Sequence, residues 1–192
     1  MLNVLMAVLL AAAGTATAAG PTETVQTAVQ QVFSSQGGPE VKTVSTAQRR
    51  ADVRKITETL FDFDEMSQRS LGGAWAQASP AEQREFVRLF GALIANAYMG
   101  RIEQYAGEPI TYVSERVDGD DASVQSRVVT PKGSEIGIEY RLYRGTDGRW
   151  TVYDLYVDGF SLVGSYKAQF NRIIQRGSFA ELLKQLRLKA GS

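Results

Sequence analysis

Apolar residues recur at three- and four-residue intervals between positions 25 and 105, which is the period of amphipathic helices. One stripe begins at Val25, a second at Val53 and a short third at Phe63. The fourth stripe is the longest. It opens with a Ser-Pro-Ala-Glu capping box at residues 79–82, and Gly107 ends it. The pattern therefore predicts four helices before residue 110.

The period then changes to two, which is typical of half-buried strands. Four alternating segments (110–117, 122–130, 135–144 and 150–157) are separated by short loops rich in Gly, Asp and Pro. Loops this short join antiparallel neighbours, so a four-stranded antiparallel meander is predicted. Apolar residues at 136, 138, 140 and 142 alternate with mostly polar ones, which indicates one buried face and one partly wet face.

Helical spacing returns near the C-terminus. Ser161 can cap one helix, Gly177 ends it, and a second capping box at residues 178–181 opens another. No linker is long enough to separate two domains. The prediction is a single α+β domain over residues 20–192, with a four-stranded antiparallel sheet packed on one face by about six helices.

The N-terminus carries an export pattern. Residues 4–13 form an unbroken apolar run, and Ala16-Thr17-Ala18 follows it. A bilayer span takes about 20 residues, so the run is too short to cross, whereas the small-x-small pattern suits a signal peptidase. No Lys or Arg precedes the run, which leaves an uncleaved anchor as the alternative. We expect residues 1–19 to be a signal peptide.

The amino-acid composition excludes several kinds of catalytic and metal-binding site. Lys+Arg and Asp+Glu both number 21, so the total charge does not point to nucleic acid. The chain contains no His and no Cys, which removes the commonest general base, the thiolate nucleophile and the commonest metal ligands. No phosphate-binding glycine motif is present either. We therefore expect no cofactor and no metal.

Carboxylates are the remaining candidates for catalysis. Asp154 on the last strand, with Glu139 on its neighbour, offers a general base for an enzyme with a cone-shaped α+β pocket. The alternative is that Asp154 satisfies backbone donors, and that Asp158 with its following glycine makes a turn. Acidic residues at 62, 64 and 65 lack the spacing of a calcium loop, and Asp64 is well placed as a helix cap.

Large apolar side chains occur in nearly every predicted element, and ordinary core is the default interpretation for each of them. A small sheet under five or six helices need not close completely, however. It can leave an apolar cavity open at one end, which is the usual form of a ligand site.

Residues 150–163 closely resemble the signature of the MlaC/toluene-tolerance family, in which a W-x-V-Y-D strand leads through an (E/D)-G-x-S-L turn into a helix. The following Y-K-A-Q-F at 166–170 resembles that family's Y-R-x-Q-F. F-D-F-D-E-M at 61–66, with L-G at 71–72 and Trp75, resembles its F-D-F-x-x-M…L-G…W segment. The likeness runs in order over residues 22–188. Phe160 replaces a small branched residue, and Lys167 replaces Arg.

The resemblance implies a periplasmic carrier, not an enzyme, that shuttles phospholipid between the outer membrane and an inner-membrane ABC transporter. Its partners would be an MCE-domain protein of that transporter and an outer-membrane lipoprotein complex. A hopanoid or another apolar solute is the alternative ligand. We expect acyl chains to lie between sheet and helices, in a cavity lined by Ile56, Leu60, Phe63, Phe90, Ile94, Tyr98, Ile138, Tyr140, Val152 and Phe160.

Overall fold

The computed structural model describes residues 19–35, 45–103, 109–130 and 133–190; the predicted signal peptide, apart from residue 19, lies outside these ranges. Within them the chain forms seven helices and five strands. The helices are α1 (Pro21–Ser34), α2 (Thr46–Leu60), α3 (Phe63–Leu71), α4 (Gly73–Gln77), α5 (Pro80–Glu103), α6 (Leu162–Arg176) and α7 (Phe179–Ala190). The strands are β1 (Ile110–Asp118), β2 (Asp121–Val129), β3 (Glu135–Arg144), β4 (Trp150–Val157) and β5 (Phe160–Ser161).

The predicted α+β class is confirmed, with one more strand and one more helix than expected in the described ranges. Both additions are too short to carry a hydrophobic period. β5 is two residues that pair with the end of β4. α4 is a single turn separated from α3 by Gly72, whose φ of 54° breaks the helix.

The sheet is an antiparallel meander in the order β1-β2-β3-β4-β5. The pairing of β3 with β4 is interrupted by a bulge. Leu142 pairs with Val152 and Arg141 pairs with Asp154, so Tyr153 is an extra residue in β4. Because paired residues share a face, this bulge puts Leu155 on the side of Tyr140 and puts Asp154 on the opposite side, with Arg141.

The described residues form two hydrophobic cores. The first, here called the sheet core, joins α1 and α2 to the apolar face of the sheet. Val124, Leu142 and Val152 are fully buried there against Val25 of α1 and Leu60 of α2.

The second, the helical core, is built by α3, α5, α6 and α7. Its centre is aromatic. The ring of Phe86 lies 5.6 Å from that of Phe90 and 5.4 Å from that of Phe170, and Phe90 meets Tyr166 edge-on at 5.1 Å. Offset and edge-to-face contacts of this kind add to the burial of the rings themselves.

Two connections hold the cores together. Phe61 packs against both, and Asp62 donates its backbone N–H to the carbonyl of Val152 at 2.9 Å. Two residues further along β4, the buried carboxylate of Asp154 accepts hydrogen bonds from the start of α6, described below. Within the described ranges no helix has both the length and the apolar character needed to cross a bilayer.

Candidate functional site

A cavity of about 1400 Å³ opens between the two cores. Four helices (α1, α2, α3 and α5), the α2–α3 connection and the β3–β4 hairpin form most of its walls. α1 contributes a stripe ending at Phe33, α2 contributes Ile56 and Leu60, and α5 contributes a full face from Val87 to Met99. Tyr140 and Leu155 reach it from the sheet. The space exceeds that of ordinary small-molecule pockets, which span roughly 300–1,000 Å³.

Small residues create the space along α5. Gly91, Ala92 and Ala95 stand on the face that lines the cavity, where larger side chains would fill it. The ring of Phe63 lies over Gly91, so that a Cβ there would stand 3.7 Å from its Cδ1 atom. Phe63 also packs against the helical core, so its ring separates the cavity from that core.

Charged side chains border the cavity: Arg54, Glu58, Asp62, Asp64, Arg88, Asp147 and Arg149. Three of them are engaged within the protein. Asp62 caps α3 through the N–H of Glu65 and accepts a hydrogen bond from the hydroxyl of Tyr143. That bond, more than burial, raises the pKa of Tyr143 to about 12. Asp147 binds Arg149 at 2.6 Å.

Six of the residues expected at the site do line this cavity: Ile56, Leu60, Phe63, Ile94, Tyr98 and Tyr140. They come from four different elements, which is why no local pattern in the sequence links them. Their contact with a lipid stays a prediction.

The structure places the other four elsewhere. Phe90 and Val152 are fully buried in the helical core and the sheet core, respectively. Ile138 borders a separate hollow of about 180 Å³ beside Gly137 and Tyr156. Phe160 is 76% exposed, because its strand β5 lies at the sheet edge. Helical or strand period identifies an apolar face but does not tell a packed side chain from one that borders an opening.

Several lining residues were not predicted as site residues. The α1 stripe (Ala28, Val29, Val32 and Phe33) was predicted as a helix face without a role in the site. The small residues of α5 were overlooked because they carry little hydrophobic signal. A run of Gly and Ala on one face of an otherwise bulky helix was the available clue.

The carboxylates considered for catalysis do not line the large cavity. Asp154 is occupied by donors of its own chain: the backbone N–H groups of Leu155 (2.8 Å) and Val163 (3.0 Å) and the Ser161 hydroxyl (2.6 Å). Glu139 forms an ion pair with Arg141 at 2.6 Å. The bulge at Tyr153 turns Asp154 to the side of the sheet opposite Tyr140.

The acidic cluster at residues 62–65 is likewise engaged in protein contacts. Asp62, not Asp64, caps α3, so that detail of the prediction was wrong. Glu65 binds Arg69 at 2.7 Å. Among the described residues no group of three or more acidic, His or Cys side chains is placed to hold a metal ion.

Comparison with known proteins agrees with this architecture. The model of the family described as MlaC protein matches residues 26–188. The intermembrane phospholipid transport system binding protein MlaC of Haemophilus influenzae is 25% identical over 123 residues, which are 62% of this chain and 58% of that protein. The match thus spans less than two thirds of that relative's length.

A solved structure extends the likeness to three dimensions. The phospholipid-binding protein from Ralstonia solanacearum, determined in complex with a phospholipid, superposes with a TM-score of 0.79 at 28% sequence identity. The superposition covers 90% of this chain and 98% of that one. The family model, which matches most of the chain, and this shared fold lead to one assignment: the chain belongs to the MlaC family.

Proposed function

We propose that this protein is a periplasmic phospholipid carrier that shuttles lipid between the outer membrane and an inner-membrane ABC transporter. The observation that carries the proposal is the cavity of about 1400 Å³ between the two cores, with its largely apolar lining. The phospholipid held by the similar Ralstonia protein supports the choice of ligand.

The physical demand on such a carrier matches this cavity. Burying an acyl chain is worth about 0.8 kcal/mol per CH₂, so two chains of roughly 15 methylenes represent on the order of 24 kcal/mol. A carrier that exposed those chains to water would lose that free energy. It therefore needs an apolar cavity in which the acyl chains have about the same free energy as in the bilayer. It needs no catalytic side chain. We propose accordingly that the protein is not an enzyme.

The location and partners follow from the same role. The export pattern in residues 1–19 would deliver a single lipid-binding domain to the periplasm. There it would exchange lipid with an MCE-domain protein of the ABC transporter and with an outer-membrane lipoprotein complex. A hopanoid or another apolar solute is the alternative cargo.

Native mass spectrometry of the mature protein, purified without detergent, tests the proposal. We expect an added mass that is lost on denaturation, and a lipid extract of the same sample that contains phospholipid. A polycyclic lipid in the extract would redirect the assignment to the alternative cargo. An unliganded mass that stays unchanged after incubation with phospholipid vesicles would refute the carrier function.

A further inference from the structure

Positive charge is concentrated in the last two helices. Residues 162–192 contain six basic residues and one acidic residue, although the whole chain carries 21 of each. The rest of the chain is therefore acidic on balance. All six basic side chains are exposed: Lys167, Arg172, Arg176, Lys184, Arg187 and Lys189. This separation of charge creates a surface that attracts anions even though the total charge is zero.

Two arginines stand together on the exposed side of α6. Arg172 and Arg176 are four positions apart, so their side chains are neighbours on the helix surface. Neither has a carboxylate within 4 Å among the residues that the structure describes. The helix contains no acidic residue, and the exposed positions one turn before Arg172 hold Ala168 and Gln169. Like charges at this spacing destabilise a helix, so the stability of α6 does not explain the pair.

The helix α7 adds two cations and an exposed leucine. Lys184, Arg187 and Leu188 lie on its exposed side. Leu188 is 68% exposed, whereas the other leucines of α7 are buried. Arg187 binds Glu85 of α5 at 2.7 Å, which fixes the orientation of the helix. A leucine between basic residues is typical of a helix that lies on a lipid surface, where the apolar side chain enters the interface and the cations reach the headgroups.

The two helices form a hairpin whose open end borders the cavity. Residues 177 and 178 connect α6 to α7, and the helices pack against each other. The first residue of α6, Leu162, and the last residue of α7, Ala190, both line the cavity. A membrane bound to the exposed side of the hairpin would therefore lie beside one end of the cavity.

On this basis, and resting on the carrier function proposed above, we propose that the α6–α7 hairpin binds the anionic surface of a phospholipid bilayer. The contact is made by the basic face, which consists of Arg172, Arg176, Lys184, Arg187 and Leu188. It is peripheral and involves the headgroups of an intact bilayer, not the lipid held in the cavity. An acidic protein surface would also attract these cations, but the exposed Leu188 favours a bilayer, whose interface takes up an apolar side chain.

Co-sedimentation with vesicles tests this proposal. The mature protein is mixed at low ionic strength with vesicles of phosphatidylcholine alone or of phosphatidylcholine and phosphatidylglycerol. We expect it to bind the anionic vesicles only, and to be released as salt is added. Arg172→Gln/Arg176→Gln should weaken binding about thirtyfold, because each basic residue near an anionic surface contributes about 1 kcal/mol and about 1.4 kcal/mol is tenfold. Urea unfolding should show that this double variant is as stable as the wild type, since the substitution removes a repulsion.

Arg127→Gln/Arg144→Gln is the matched control. It changes the net charge by the same amount, but at two exposed arginines of the sheet that form ion pairs with Glu135 and Asp120. It should bind the anionic vesicles as the wild type does. Equal losses in the two double variants, or no loss in Arg172→Gln/Arg176→Gln, would overturn the assignment of the basic face.

Two further measurements separate this proposal from its alternatives. Native mass spectrometry of the same samples reports the bound cargo. A wild type that carries lipid but does not bind anionic vesicles would overturn the docking surface and leave the carrier function standing. Vesicle binding by a protein that never carries lipid would support the surface and contradict the carrier function. Binding to immobilised polyglutamate without binding to vesicles would overturn the proposal and assign the basic face to an acidic protein partner.

Discussion

Two faces of the helix α5 are apolar in sequence, but one packs into the helical core and the other lines the cavity. On one face Phe86, Leu89 and Phe90 are almost completely buried in the helical core. On the other, Gly91, Ala92 and Ala95 border the cavity and stay half-exposed. The same helix thus contributes one face to a packed core and the other face to the wall of the cavity.

The difference lies in side-chain volume rather than in hydrophobicity. Aromatic rings fill the space between α5, α6 and α7, whereas glycine and alanine leave space between α5 and α2. Glycine within a helix costs roughly 0.5–1 kcal/mol relative to alanine, so Gly91 lowers stability at the point where the ring of Phe63 packs over the helix. Substitutions on the packed side should therefore change stability most, and substitutions on the cavity side should change ligand binding most.

The largest loss of stability is expected for Phe86→Ala. Phe86 is fully buried and contacts the rings of Phe90, Phe170 and Phe179. Truncating such a ring costs about 3–5 kcal/mol, because the transfer free energy is lost and a cavity remains. Urea unfolding followed by circular dichroism measures the change. A decrease in the free energy of unfolding below about 1 kcal/mol would mean that this face of α5 is not tightly packed in the helical core.

A somewhat smaller loss is expected for Asp154→Ala, which removes the acceptor for two backbone N–H groups and the Ser161 hydroxyl. Leaving buried donors unpaired costs roughly 1–3 kcal/mol. Asp120→Ala is the control, since it removes only an exposed ion pair with Arg144, worth about 0–1 kcal/mol. Equal effects of the two substitutions would argue that Asp154 does not anchor α6 to the sheet.

The Tyr143–Asp62 hydrogen bond at the cavity border gives an effect that depends on pH. The folded pKa of Tyr143 is raised to about 12, above the ordinary value of about 10, because the neutral phenol donates to Asp62. The bond therefore stabilises the fold fully below about pH 10 and ceases to do so as the pH rises through 12.

Tyr143→Phe should accordingly lower stability by about 1 kcal/mol at neutral pH. The difference from the wild type should shrink above pH 10. Burial also raises the pKa of Tyr140, so both proteins should lose stability in that range, and only their difference reports on Tyr143. A difference that stays constant from pH 8 to 12 would contradict the assignment.

The smallest change in stability is expected for Ala95→Leu, which adds volume where the helix faces open space. Its stability should stay within about 1 kcal/mol of the wild type, while the lipid co-purifying with the protein should fall severalfold. Ala97→Leu is the matched control, because Ala97 is exposed and is not part of the cavity lining. Equal lipid content in the two variants would show that this face of α5 does not contact the cargo.

The sequence predicted the elements better than it predicted the site. Period and capping residues located all four long strands and six of the helices, because these signals are local. Whether an apolar residue lines the cavity depends on how other elements pack against its face. Those elements are distant in the sequence, so no local pattern reveals the outcome. Phe90 and Ile94 lie one helical turn apart in the same stripe, yet only Ile94 reaches the cavity. The bulge at Tyr153 likewise reverses the side of Asp154, and no alternation pattern indicates it.

The position of the bound acyl chains can be mapped by photocrosslinking, which shows whether they occupy the cavity between the two cores. A phospholipid with a photoreactive group near the end of one acyl chain is loaded from vesicles, activated by light, and its attachment sites are located by peptide mass spectrometry. We expect labels on the cavity faces of α2 and α5, around residues 53–60 and 87–99. Labels confined to the exposed Phe160 and the hollow beside Tyr156, with the α5 face unlabelled, would contradict it.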